Sequence, residues 1–382
     1  MLGFFETGFS NLGGWPSPIL MIFLGGVLLY LGIARKMEPL LLVPIGFGVV
    51  LVNLPLGGLM ETIGGEPAGL LSRIFHYGLV WEIIPCFIFL GLGAMTDFGP
   101  LIANPKTLIL GAGAQFGVYF AFFIALFIGG AFPDVVEIGI KEAASIGIIG
   151  GADGPTTIYL TNRLAPHFIA ATAVAAYTYM ALVPIIQPPV IKLLTTQKER
   201  AIYMKPQLRP VSKTEKILFP LIAAVIIILL VPKSAPLIGM FMFGNLLYAS
   251  GVTERLADTA ANAFMNILTI LLGLSVGAIM SAEAFLKPES LLVFALGVTA
   301  FAASTAFGVS LAKLMNLFTK EKINPMIGAA GVSAVPMAAR VVQRMGQEAN
   351  PRNFLLMHAM GPNVAGVIGT ATAAGIFLGM VG

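Results

Sequence analysis

Long apolar runs follow one another along almost the whole chain, separated by short polar or basic segments. A helix needs about 20 residues to cross the hydrocarbon of a bilayer, and most of these runs reach that length with their neutral flanks. The pattern therefore predicts an all-α, polytopic membrane protein with about nine full spans. The runs are Pro18–Ile33, Leu40–Leu56, Ile83–Met95, Thr107–Gly130, Ile169–Ile186, Ile217–Val231, Leu237–Tyr248, Phe264–Met280, Leu291–Leu311 and Phe354–Leu378.

Composition agrees with this prediction. Hydrophobic residues occupy 57% of the 382 positions, charged residues occupy 10%, and the mean hydropathy is +0.92. Soluble globular chains carry roughly 25% charged residues, so most of this chain has to be dissolved in lipid. The first basic residues, Arg35 and Lys36, follow the first apolar run. We therefore predict no signal peptide and expect Met1–Trp15 to lie along the membrane surface or against the bundle.

Several other classes of function are disfavoured. The single cysteine, Cys86, lies within an apolar run, so no intrachain disulfide is expected. The three histidines fall in no spacing typical of metal ligands. Basic stretches carry no interleaved aromatic residues, so no nucleic-acid partner is predicted.

The chain contains an internal repeat with a spacing of 181 to 183 residues. Gly147–Pro155, with the sequence GIIGGADGP, matches Gly328–Pro336, with the sequence GAAGVSAVP, and two glycines and the proline stay in register. Eight residues beyond each proline stand Arg163 and Arg344. Each match is weak alone, but their order and near-constant offset indicate a repeat.

The distribution of basic residues predicts how the two copies are oriented. Residues 192–216 carry seven lysines and arginines against two glutamates, so this loop is predicted to be cytoplasmic. A complete crossing near Asp153 would put the loop outside, so we predict that Glu137–Asn162 and Ile323–Met345 are broken, re-entrant hairpins. Five full spans then separate equivalent points of the two copies, and this odd number inverts the second one. Secondary transporters build ion sites between such hairpins.

The predicted organisation follows from this repeat. It comprises an N-terminal scaffold segment 1–78, a first repeat 79–191, a basic loop 192–216, linking scaffold helices 217–252 and an inverted second repeat 253–382.

Asp153 is the sharpest candidate for function. A carboxylate at membrane depth costs at least about 2.5–3.5 kcal/mol, so it is usually paired, protonated or bound to a cation. The surrounding glycines free backbone carbonyls to face an ion, and Pro155 prevents the helix from continuing. Such oxygen ligands suit Na⁺ or H⁺. The alternative is a turn near the surface, with Asp153 as a solvated helix cap.

The second copy offers neutral oxygen ligands. Ser333 stands one position before the equivalent of Asp153, with Asn324 and Gly328 upstream, and Asn363 lies in a Gly- and Pro-broken part of the last run. A serine in such a segment is otherwise a packing residue. Tyr177 and Tyr179 follow the first hairpin and suit an interfacial anchor. The deeper Tyr179 favours a buried hydroxyl that serves as a ligand or proton donor.

Arg340 lies inside the second predicted hairpin, where an arginine needs an anionic partner. Because acidic residues within the spans are few, an anionic substrate is favoured. Glu142 is the candidate for an internal partner.

The segments Gly147–Pro166 and Gly328–Gly366 resemble the membrane-embedded β subunit of the biotin-dependent, sodium-pumping decarboxylases, and the resemblance covers nearly the whole chain after about Pro39. This family serves complexes acting on oxaloacetate, methylmalonyl-CoA, glutaconyl-CoA and malonate. The resemblance implies that the chain decarboxylates carboxybiotin on a carrier protein and couples this reaction to Na⁺ export, with a proton consumed.

The resemblance also implies roles for residues. Asp153 corresponds to an essential Na⁺ ligand that also takes part in catalysis, and Tyr179 to a tyrosine that delivers a proton or binds the ion. Arg340 matches the polar face of the family's second key helix, and as a cation on a cytoplasm-facing hairpin it is the catalytic candidate for docking the carboxybiotin anion. Ion-binding positions that match the family's polar helix faces are Asn324, Gly328, Ser333 and Asn363.

Partners and location are implied in the same way. They are a biotin carrier protein, a carboxyltransferase α subunit, a small membrane γ or δ subunit and further copies of this chain, in a bacterial or archaeal cytoplasmic membrane. The short chain leans toward the acyl-CoA members. Two other interpretations stay open from the residues alone: a stand-alone Na⁺-coupled secondary transporter of carboxylates, and a membrane anchor for a soluble enzyme.

Overall fold

The computed structural model describes residues 18–133, 137–205, 209–285 and 288–382, so the segment Met1–Trp15 lies outside the described residues. Almost every element is helical. The α-helices are α1 Pro18–Ile33, α2 Pro39–Val52, α3 Leu70–Ile74, α4 Ile83–Met95, α5 Gly99–Ala103, α6 Thr107–Ala114, α7 Phe116–Ala131, α8 Ile140–Gly147, α9 Gly154–Leu164, α10 Ile169–Leu194, α11 Gln197–Arg200, α12 Lys213–Leu230, α13 Ala235–Ser250, α14 Glu254–Thr259, α15 Met265–Ala278, α16 Ala282–Phe285, α17 Pro288–Phe318, α18 Met337–Ala349 and α19 Leu356–Val381.

Shorter elements connect these helices. The strands β1 Thr62–Ile63 and β2 Glu66–Pro67 pair antiparallel. Two π-helical turns continue α3 and α14, and the described residues contain four 3₁₀ segments. The π-helical turns are Phe75–Val80 and Ala260–Phe264, and the 3₁₀ segments are Ile148–Gly151, Pro166–Phe168, Pro232–Ser234 and Pro325–Gly331.

Five helices of the described chain are long and apolar enough to cross a membrane, or six if the bent pair Leu70–Val80 and Ile83–Met95 forms one span. The chain is therefore a multi-pass helical membrane protein. The total of about nine spans stays a prediction, because α1 and α2 are shorter apolar helices of 16 and 14 residues. The five helices are Thr107–Ala131, Pro166–Leu194, Glu254–Ala278, Ser290–Phe318 and Leu356–Val381.

Glycines let neighbouring helices approach closely. A Cβ atom on Gly93 of α4 would lie 1.9 Å from the carbonyl oxygen of Phe241, and one on Gly244 of α13 would lie 1.9 Å from that of Leu90. Helix pairs in lipid associate through such small residues, because packing rather than water exclusion holds them together. The contact fixes α4 against α13.

The first broken segment runs through α8, the 3₁₀ segment and α9, and both its ends lie together. Glu142, in the first turn of α8, and His167, just after α9, approach to 3.5 Å. Arg163, in the last turn of α9, makes a two-point ion pair with Glu82, with N–O distances of 2.6 and 2.7 Å. These contacts fix the end of α9 beside the start of α4.

The second broken segment runs from the 3₁₀ segment Pro325–Gly331 through α18. Asn324 precedes it and Asn353 follows it, and both side-chain amides donate to the carbonyl oxygen of Ile202, at 3.0 and 2.7 Å. The start and the end of the second segment therefore lie near one another as well. The 26-residue helix α10, about 39 Å long, lies between His167 and Ile202 along the chain.

Candidate functional site

Asp153 lies where the first broken segment changes direction. The chain leaves the 3₁₀ segment through Ala152, which adopts a left-handed conformation with φ of 53°, and α9 begins at the next glycine. Asp153 caps α9, because its Oδ1 atom accepts a hydrogen bond of 3.0 Å from the Thr156 amide. The residue is only 3% exposed, so it is a helix cap but not a solvated one.

Ser333 brings the second broken segment to the same point. Its hydroxyl donates a hydrogen bond of 2.6 Å to Oδ2 of Asp153, and its amide donates one of 2.8 Å to the carbonyl oxygen of Gly151. Both oxygens of the carboxylate therefore have partners, one from each segment. A charge-assisted hydrogen bond of this length is among the stronger ones in proteins.

Asn363 of α19 holds the backbone next to Ser333. Its amide nitrogen lies 2.7 Å from the carbonyl oxygen of Val332 and 3.0 Å from that of Ala330. Its own Oδ1 atom is buried and has no hydrogen-bond partner among the described residues. Asn363 thus shapes the second segment and leaves one oxygen available.

The two tyrosines of α10 have different surroundings. The ring of Tyr177 packs on Gly154, where an added Cβ atom would lie 2.3 Å from Cζ. Its hydroxyl is buried and has no partner in the described part of the chain. The hydroxyl of Tyr179 donates to the carbonyl oxygen of Phe294 on α17. The tyrosine beside the Asp153 turn is therefore Tyr177, whereas the sequence favoured Tyr179.

Asn324 and Gly328 lie nearer the start of the second segment. The Oδ1 atom of Asn324 accepts from the Met326 amide at 3.1 Å, so this residue caps the 3₁₀ segment. A Cβ atom on Gly328 would lie 2.1 Å from the carbonyl oxygen of Gly308, so Gly328 allows close contact with α17. In the described structure neither Asn324 nor Gly328 forms a hydrogen bond with Asp153.

Arg340 is exposed on α18. Its charge acts on Glu38 in the loop between α1 and α2: burial raises the pKa of the Glu38 carboxyl, and the guanidinium of Arg340 offsets part of this rise. Glu142 has other partners, since it binds the Gly139 amide at 3.0 Å and lies beside His167. The expected alternative of a Glu142–Arg340 pair is therefore wrong.

Two residues near Asp153 escaped the sequence analysis as ligands, Thr156 and Tyr177. The hydroxyl of Thr156 is buried close to the Asp153 carboxylate, and the amide of the same residue already binds Asp153. A threonine three positions after a capping aspartate is the signal that points to it. Neutral hydroxyl and amide oxygens of this kind suit a hard cation such as Na⁺.

The residues that the structure describes offer no cluster of side chains that would hold a soft or transition-metal ion. No group of three or more histidine, cysteine, aspartate or glutamate side chains comes together there.

Comparison with known proteins identifies the family of this chain. A model of the Na⁺-transporting oxaloacetate decarboxylase beta subunit matches residues 17–381. The chain belongs to this family. The match extends through both halves of the chain, each of which contains one broken segment. It confirms the resemblance noted in the sequence.

Named relatives are similar over nearly their full length. Methylmalonyl-CoA decarboxylase subunit beta of Propionigenium modestum is 54% identical, over 99% of this chain and 98% of the relative. The corresponding subunit of Veillonella parvula is 57% identical over 95% and 92%. The oxaloacetate decarboxylase beta chain of Klebsiella pneumoniae is 51% identical over 97% and 96%. The chain is thus the beta subunit of a sodium-pumping decarboxylase.

Proposed function

We propose that decarboxylation of carboxybiotin at this subunit drives Na⁺ across the membrane through a site built on Asp153. The observation that carries the proposal is the hydrogen bond from Ser333 to Asp153, which joins the two broken segments at a buried carboxylate. The proposed additional ligands are Ser333, Asn363, Thr156 and Tyr177. Na⁺ and a proton compete for one carboxylate at such a site, so ion and proton occupancy are linked.

We further propose that the two broken segments are re-entrant hairpins of an inverted repeat. Their paired ends at opposite ends of α10 support this topology. Five helical crossings would separate them: α10, α12, α13, α14 together with α15, and α17. The same topology supports segments 1–78 and 217–252 as scaffold and 79–191 and 253–382 as repeats. It also supports a cytoplasmic position for the basic loop 192–216.

Arg340 is the proposed docking residue for carboxybiotin, because it is an exposed cation on α18, the helix that follows Ser333. Loss of CO₂ from carboxybiotin breaks a C–N bond, and the ureido nitrogen takes up a proton. We propose that Tyr179 contributes to proton delivery. Asn324 and Gly328 are proposed to act on the ion through the shape of the second hairpin.

Membership of the family supports a wider complex. This subunit would work with a biotin carrier protein, a carboxyltransferase α subunit, a small γ or δ subunit and further copies of itself, in the cytoplasmic membrane of a bacterium or archaeon. The relatives named for methylmalonyl-CoA are 54% and 57% identical to this chain, against 51% for the oxaloacetate relative, which favours an acyl-CoA as the substrate of the complex.

The test is ²²Na⁺ uptake into proteoliposomes that contain the reconstituted complex. Asp153→Asn should abolish uptake, because the ion loses its only charged ligand. Asp258→Asn is the matched control: Asp258 lies on α14, where it accepts a hydrogen bond from Asn262. Undiminished uptake with Asp153→Asn would exclude the proposed site. Uptake that needs no biotinylated partner and resists avidin would instead favour a stand-alone carboxylate transporter.

A further inference from the structure

A cavity of about 940 Å³ opens at the end of the bundle where the second broken segment starts. Its walls come from the start of α6, the end of α17, the residues after α11 and the 3₁₀ segment Pro325–Gly331. Lysines reach it from three of these parts of the chain. They are Lys106, Lys205, Lys320 and Lys322.

These lysines carry uncompensated charge. All four are exposed, and none has a carboxylate within 4 Å among the described residues. Lys322 donates to the carbonyl oxygen of Asn316, and Glu321 is the acidic residue that lines the cavity. Nearby Lys313 is different, because it pairs with Glu199 at 3.0 Å. A cluster of free lysines around one opening produces a positive potential that attracts anionic partners.

The inner wall of the cavity belongs to the second broken segment. Ile323 and Ile327 line it, and His358 of α19 joins it to the basic loop through a contact of 2.7 Å with the carbonyl oxygen of Lys205. Six residues beyond Ile327 stands Ser333, the partner of Asp153. A molecule docked here would therefore press on the segment that completes the proposed ion site.

We propose that this lysine rim docks an acidic surface of the soluble protein that presents carboxybiotin. The inference rests on the proposed function, in which such a partner reaches this subunit from the water phase. A protein surface fits better than a small anion, because the lysines are exposed point charges on separate segments and the inner wall is apolar. Charges at a rim steer association more than they tighten the final complex.

The test uses the reconstituted complex with two substrates, the carboxylated carrier protein and free carboxybiotin. The variant is K205Q/K320Q, and the matched control K198Q/K233Q removes two exposed lysines that lie outside the cavity. We expect the KM for the carrier to rise about fivefold at low ionic strength with kcat unchanged. This difference should shrink at about 0.15 M salt, and the KM for free carboxybiotin should stay constant.

Two results would overturn the docking proposal. One is a carrier KM within about twofold of the control, which is too small for two steering charges. The other is an equal rise in KM for free carboxybiotin, which would assign the cavity to the biotin head instead. Failure of the unaltered complex to decarboxylate free carboxybiotin is a separate outcome, and it counts against the proposed function.

Discussion

The hydroxyl of Ser333 donates a 2.6 Å hydrogen bond to Asp153 across 180 positions of sequence. A second bond, from the Ser333 amide to the carbonyl oxygen of Gly151, fixes the same two segments together. A carboxylate that is 3% exposed depends on such partners, because an unpaired buried charge is strongly unfavourable. The two halves of the chain are therefore coupled at one side chain.

Removal of the Ser333 hydroxyl should weaken Na⁺ binding. Ser333→Ala removes a proposed oxygen ligand of the ion, and loss of such a polar contact with a charged group costs roughly 1–3 kcal/mol. We expect the Na⁺ concentration for half-maximal activity to rise about tenfold, as a change of about 1.4 kcal/mol would produce. Na⁺-dependent decarboxylation by the complex measures it.

Ser275→Ala provides the control for that variant. The Ser275 hydroxyl is also buried, but it has no hydrogen-bond partner among the described residues. Its removal should leave the Na⁺ dependence unchanged. Equal Na⁺ dependence of the Ser333→Ala and Ser275→Ala proteins would argue against a role of Ser333 at the ion.

The two tyrosines of α10 should respond differently to loss of the hydroxyl. Tyr179→Phe removes the hydrogen bond to the carbonyl oxygen of Phe294 and should lower the Tm. Tyr177→Phe removes a hydroxyl that has no partner in the described structure, so the Tm should hold while the Na⁺ dependence shifts. Thermal unfolding in detergent and Na⁺ titration of activity separate these effects. A shared profile for both variants would contradict the assignment of Tyr177 to the ion.

Gly154→Ala should destabilise the turn at Asp153. The new methyl group would lie 2.3 Å from the ring of Tyr177, and overpacking of this kind costs about 1–3 kcal/mol. We expect a Tm several degrees below that of the parent protein. Gly239→Ala is the control, because nothing lies within 4 Å of its added methyl group and alanine favours the helix. Matching Tm values for the two variants would show that the turn tolerates the methyl group.

Glu38 should make stability depend on pH. Burial raises the pKa of its carboxyl, with Arg340 opposing in part, so the folded protein holds this proton more tightly than the unfolded chain. The resulting stabilisation is fully present below the unfolded pKa and is lost as the pH rises through the raised pKa. Glu38→Gln should therefore raise the Tm at about pH 8 and leave it unchanged at about pH 4. Glu348→Gln, on an exposed carboxylate of α18, is the control. A Tm gain that is the same at both pH values would contradict this account.

Much of the helical layout follows from sequence, because apolar runs that match the bilayer thickness have few other folds available. The break beside Asp153 could also be anticipated, since glycines disfavour a helix and Pro155 cannot continue one. Span counts are harder. A helix such as α2, with 14 residues, is apolar without matching that thickness.

The surroundings of single side chains could not be predicted in the same way. Tyr177 and Tyr179 lie two residues apart on one helix, so they face different sides, and only the rotation of α10 about its axis decides which side meets Asp153. Asn324 has the right chemistry for an ion but is used as a cap. The lysine cavity draws on distant segments, so the charges are visible in the sequence and the opening is not.

The distance along the chain between Asp153 and Ser333 also sets an order of events during synthesis. Ribosomes add about 5–20 residues per second, so the carboxylate is made roughly 9–36 s before the serine that will hold it. During that interval only contacts within the first half of the chain can stabilise the Asp153 carboxylate. The cap from Thr156 and the Arg163–Glu82 pair are both complete by then. The nascent first half can therefore hold the turn at Asp153 in place before the second half is made, and the second half then completes the site.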